Sequence, residues 1–194
     1  MAVVMTLEVA GGTTAQYDRT NEILGIAGEE GAPPGLISHV CAVTDDGIVV
    51  VDVWDSVGSL DEFMHDRLSV ALAEAGMPPT APRVSPVHDF FYGTGKEPNM
   101  LVLLRLPHAT TDAYDDLVAK LPSHAGNGAH HPSVVYVAAA EPDAVLVAAL
   151  WESEPAYMEF WKRELLPHVD NPRYFVLRVW PVHACLLARP HVGA

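Results

Sequence analysis

The chain repeats itself. Shifted by 97 residues along its own length, it aligns Thr13-Thr14 with Thr110-Thr111, Tyr17-Asp18 with Tyr114-Asp115, and Trp54 with Trp151. The same shift pairs Ser56 with Ser153 and Glu62-Phe63 with Glu159-Phe160, without a gap. The register then slips by two residues, and SPVH (85–88) meets WPVH (180–183). Landmarks kept in one order along both halves require each half to build the same supersecondary unit. The expected division is 1–92 and 100–194, joined by the linker GTGKEPN (93–99). The GTGK within it lacks the full spacing of a phosphate-binding loop and is set aside.

Each half reads as β-α-β-β-α-β. An apolar strand opens it, Val3 to Val9 and Met100 to Leu106. A helix follows, with Thr14 or Thr111 as expected N-cap. Two β-rich runs around a short turn then predict hairpins. They are Leu36–Val43 with Ile48–Trp54, and Val134–Ala140 with Val145–Trp151. A second helix starts beyond each Trp. In the first half Ser59 and Glu62 have capping-box spacing, and Gly76 followed by Pro78 ends the helix. The last strand carries Pro86 or Pro181. Proline cannot donate to a ladder, so this strand belongs at an edge or a bulge, as the fourth strand does in the order 4-1-3-2.

One such unit has a bare sheet face. Two can cover each other's bare faces and pair their edges. The expected fold class is therefore α+β, with two fused ferredoxin-like units forming an intramolecular α/β barrel. A monomer is possible because the barrel closes within the chain.

Composition narrows the partners. The 194 residues are 49% hydrophobic, enough for a sizeable core, and the formal net charge is −14. An acidic surface argues against nucleic acid and anionic membranes. No apolar run reaches the roughly 18 residues of a spanning helix, and the N-terminal residues lack the basic and apolar regions of a signal peptide. A cytoplasmic protein is expected. Cys41 and Cys185 lie in apolar strands and read as buried, reduced thiols.

The pieces VVVDVWDS (49–56), DEFM (61–64) and PVHDFF (86–91) resemble the antibiotic-biosynthesis-monooxygenase-like family of dimeric α/β barrels. The second half is similar through VLVAALWES (145–153), MEFW (158–161) and PVH (181–183). The resemblance implies a barrel acting on an aromatic or polyketide-like small molecule without a cofactor, as an oxygenase or as a cyclase. It equally allows a member that only binds a ligand or assembles, because one fold hosts many functions. The Asn and His that haem-degrading members carry on helices have no match here.

The two halves differ most in the polar residues of their middle strands. Pairing Val43 with Ile48 across Thr44–Gly47 sets His39 opposite Asp52, where the second half has Tyr136 and Ala149. A two-residue loop keeps His39 and Asp52 on one face; a three-residue loop separates them. A carboxylate beside an imidazole fixes its tautomer, as a general base near neutral pH requires. His39 and Asp52 are therefore the candidate catalytic pair, and a purely structural hydrogen bond is the competing reading. Trp54, His88 and Tyr17 are candidate substrate-binding residues. Each competes with a packing role, and Tyr17 and Tyr114 could pack with their hydroxyls in water. A metal site from His39, Asp52 and His88 lacks tight ligand spacing, so no metal is expected. His130-His131-Pro132 reads as loop. Glu8 and Arg105, of opposite charge at equivalent strand positions, could pair with each other.

Overall fold

The structure is a computed structural model, and it describes residues 1–28, 31–126, 128–169 and 175–188. The first half forms strand β1 (Val3–Ala10), helix α1 (Thr14–Leu24), strands β2 (Leu36–Val43) and β3 (Gly47–Trp54), helices α2 (Val57–Phe63) and α3 (Ser69–Glu74), and strand β4 (Arg83–Tyr92). The second forms β5 (Met100–Pro107), α4 (Thr111–Val118), β6 (Val135–Glu141), β7 (Ala144–Trp151), α5 (Glu154–Phe160) and β8 (Val176–Leu187). The strands hydrogen-bond in the order β1-β3-β2-β8-β5-β7-β6-β4 and close as an antiparallel barrel. This is the α+β class of two ferredoxin-like units read from the repeat.

By compactness the chain divides into Met1–Val84 with the stretch from His183 on, and Ser85–Val182. The C-terminal part of β8 thus belongs to the first unit, and most of β4 to the second. In the second unit β4 pairs with β6, and its register shifts between Val87 and Asp89, a bulge just after Pro86.

Local chemistry explains the helix starts, which lie one residue before the expected threonine caps and three before the expected serine. Thr13, not Thr14, caps α1, in a reciprocal capping box with Gln16. Thr110 caps α4 through the backbone N–H of Ala113. Ser56 caps α2 by accepting from the N–H of Ser59, so Ser59 is the third helical residue and not the cap. In each case the cap is the last extended residue before the turn, the backbone geometry an N-cap needs. After α2 and after α5 the backbone widens into a π turn, Met64–Leu68 and Trp161–Leu165. The two turns follow the equivalent phenylalanines Phe63 and Phe160.

The core of the first unit gathers the inward residues of β1, β2 and β3 with Tyr17, Leu60 and Leu186. The core of the second is richer in rings, with Phe91, Tyr114, Tyr136, Trp151, Tyr157 and Phe160. Glu8 meets Arg83 at 3.1 Å, and Arg105 meets Glu141 at 2.5 Å, each an ion pair within its own unit. Cys41 and Cys185 are free thiols, both raised by burial to about 12. No helix among the described residues is long and apolar enough to cross a membrane.

Candidate active site

The β2–β3 register is the one that brings the candidate pair together. Val43 pairs with Ile48, Cys41 with Val50 and His39 with Asp52. On the other side of β3, Met5 of β1 lies opposite Asp52. Gly47 makes the tight entry into β3 possible, because a Cβ there would fall 2.1 Å from the Val9 carbonyl oxygen. Toward its start β2 bulges between Leu36 and Ser38, so Leu36, and not Ile37, lies opposite Trp54. The extra residue turns the strand by one side-chain step, and Leu36 takes the place on the wall that strict alternation assigns to Ile37.

His39 and Asp52 hydrogen-bond directly, Nδ1 to Oδ1 at 2.7 Å. The Asp52 side chain is only 6% exposed and that of His39 19%. An ionised carboxylate only accepts, so the shared proton sits on Nδ1 and the Nε2 lone pair is free to accept. It does so from Tyr17, whose hydroxyl lies 2.5 Å from Nε2. The phenol ring stacks on the imidazole at 10° between planes. Burial, with the charge of Asp52 among the lesser causes, raises the Tyr17 phenol well above its ordinary value; the Asn21 side chain hydrogen-bonds it and opposes the shift. Three side chains from α1, β2 and β3 thus form one hydrogen-bonded chain, Tyr17 to His39 to Asp52.

The chain lies in the wall of a cavity of about 160 Å³, within the first unit. Trp54 lines it too, fully buried, with an indole N–H that has no partner among the described residues. An apolar cavity of roughly 150 Å³ accepts benzene, so a ring-sized ligand fits. The rest of the wall is mainly apolar, and among the described residues no Lys or Arg lines it.

His88 is not in this wall. It lies in the second unit, 2.7 Å from Asp115 and edge-on to Tyr114. His183 occupies the equivalent place in the first unit, 2.8 Å from Asp18 and edge-on to Tyr17. The cause is the final strand: the unit that holds the cavity takes its last strand segment from the end of the chain. Sequence reasoning assigned each final strand to its own half, and the signal that could have corrected it was the prediction that these strands are edges.

The second unit shows what the same framework does without the pair. Tyr136 stands opposite Ala149. The Tyr114 hydroxyl reaches the Tyr136 oxygen at 3.1 Å and Asp89 at 3.2 Å. Phe91 stacks on Tyr136 at 4.8 Å. These rings leave about 40 Å³. By the aligned PVH motifs, Ala184 and Leu186 stand in the first unit where Asp89 and Phe91 stand in the second. The smaller side chains leave room beside Tyr17. His131 lies in a loop, as expected, and that loop buries it fully in the ring cluster of the second unit, with Nδ1 2.8 Å from the Ser133 hydroxyl. Among the described residues no group of His, Cys, Asp or Glu could hold a metal ion.

No family model matches the chain, and no curated protein matches its sequence. Solved structures match its fold. A proposed monooxygenase from Lactobacillus acidophilus NCFM superposes with a TM-score of 0.62 at 14% identity, over 96% of this chain and 95% of that one. A proposed monooxygenase from Fusobacterium nucleatum superposes at 0.68 with 8% identity, over 96% and 93%. An anthrone oxidase-like protein superposes at 0.52 with 16% identity, over 100% and 95%. At these identities the likeness is one of fold: the chain is related in architecture to monooxygenase-like barrel proteins.

Proposed function

We propose that the protein is a small-molecule enzyme that removes a proton from an aromatic or polyketide-like substrate without an organic cofactor. The observation that carries this reading is the Asp52–His39–Tyr17 chain in the wall of a ring-sized cavity. A buried carboxylate holding an imidazole by Nδ1 is the arrangement that readies Nε2 as a base. The proton acceptor is the imidazole, and the imidazolium formed is held against Asp52. The substrate becomes an enolate or phenolate. That anion either reacts with dioxygen, as in an oxygenase or oxidase, or attacks a carbonyl of its own chain, as in a cyclase. Trp54 supports substrate binding, since its unpartnered N–H offers a donor to a ligand oxygen. The names of the structural neighbours agree with the oxygen branch. In the same reading 1–92 and 100–194 are duplicated copies, and only the first kept the pair.

A second reading has a specific observation behind it. The cavity, at about 160 Å³, is smaller than the ~300 Å³ at which ligand pockets usually begin. A barrel that binds a ligand without turning it over would look the same. Oxygen consumption and product formation with small phenolic and ring-ketone compounds sized to the cavity separate the two. Turnover by the wild type, lost in His39→Gln with the fold intact, is the expected result. Saturable binding with no turnover would leave the binding barrel.

A further inference from the structure

Both ring nitrogens of His39 are engaged. Nδ1 is held by Asp52 at 2.7 Å, and Nε2 receives the Tyr17 hydroxyl at 2.5 Å. While the Tyr17 hydroxyl occupies Nε2, no lone pair of the imidazole meets a substrate, so the proton reaches His39 through another group. Tyr17 is different. Its oxygen donates one proton to His39 and keeps lone pairs, one of which meets Asn21. Tyr17 and Asn21 both line the cavity. We propose that Tyr17 is a catalytic residue: its hydroxyl meets the substrate and relays the proton to His39. This rests on the proton-abstraction reading above and says which atom performs it.

The step balances. The substrate C–H or O–H bond breaks and its proton bonds to the Tyr17 oxygen. The Tyr17 O–H bond breaks as its proton bonds to His39 Nε2. The electron pair stays on the substrate as an enolate or phenolate, Tyr17 ends neutral, and Asp52 faces an imidazolium. Burial disfavours a free phenolate, so the two transfers occur together. Asp52 is already a buried charge, and among the described residues of the lining no lysine or arginine offsets a second one. The substrate class is therefore an uncharged ring compound with an acidic proton next to a carbonyl or on a hydroxyl. Carboxylates and phosphates are excluded by the same charge.

The test uses the full chain and 2-tetralone, a neutral ring ketone, with exchange of its acidic C–H for deuterium followed by NMR. Exchange reads the proton transfer without any later step. The expected result is acceleration by the wild type that is lost in His39→Gln and falls by about 10²-fold or more in Tyr17→Phe, the usual scale for a positioned acid–base group. Bound 2-tetralone should still quench tryptophan fluorescence in Tyr17→Phe. Loss in His39→Gln with full exchange in Tyr17→Phe overturns the relay and leaves the base. No acceleration by the wild type overturns both. Should Tyr17→Phe fail to fold, 3-fluorotyrosine at position 17 changes the phenol's acidity at nearly constant size. An unchanged exchange rate in that protein also overturns the relay.

Discussion

His131 gives the protein an acid sensitivity whose size can be worked out. It is fully buried, and Phe91, His124, Tyr136, Trp151 and Phe160 surround it. Burial first, and the neighbouring His124 second, lower its pKa from 6.5 to about 3. In the unfolded chain it titrates at the ordinary value. Above 6.5 both states are neutral and His131 contributes no pH dependence. Below 6.5 the unfolded chain takes up a proton that the folded one refuses, so stability falls until the folded pKa near 3 is reached. One pKa unit is worth about 1.4 kcal/mol. Between pH 7 and pH 5 the loss is therefore about 2 kcal/mol. The perturbation is His131→Phe, which keeps a ring in the cluster and removes the proton site. Urea unfolding of wild type and variant at pH 7 and pH 5, followed by tryptophan fluorescence, measures it. The variant's stability relative to wild type should rise by about 2 kcal/mol on going to pH 5, whatever its value at pH 7. A relative stability constant to within about 0.5 kcal/mol would refute the assignment.

Other outcomes follow from the site and its supports. His39→Ala strands a buried carboxylate, so it should destabilise the fold by about 3 kcal/mol or more. His39→Gln, which can still donate to Asp52, should cost clearly less, and chemical denaturation compares the two. Thr13→Ala removes the cap of the helix that carries Tyr17 and should cost about 1 kcal/mol by the same measurement. Gly47→Ala sets a Cβ against the Val9 carbonyl. It should cost roughly 1–3 kcal/mol and weaken 2-tetralone binding by disturbing the hairpin that aligns His39 with Asp52.

Much of this was legible in one dimension. Repetition at a fixed offset, apolar runs of strand length and paired turn signals settled the α+β class and the element order, because those features depend on neighbours in sequence. The His39–Asp52 pairing was also legible, since a hairpin's register follows from its turn and its first apolar pair, here Val43 and Ile48. The cap positions were missed, by one residue at the threonines and three at the serine, because capping depends on where the backbone leaves the extended region, and adjacent threonines or nearby serines look alike in sequence. Tertiary structure decided the rest. Tyr17 joins His39 only because α1 packs over the sheet, twenty-two positions away in the chain. His183 replaces His88 beside Tyr17, and Ala184 and Leu186 leave the cavity open, because the end of the chain completes the first unit. His131 became a core residue because a loop there folds into a cluster of rings from β4, β6, β7 and α5. Each of these is a contact between segments far apart in sequence, set by which strand edges pair and which side chains fill the space, and no local pattern encodes it.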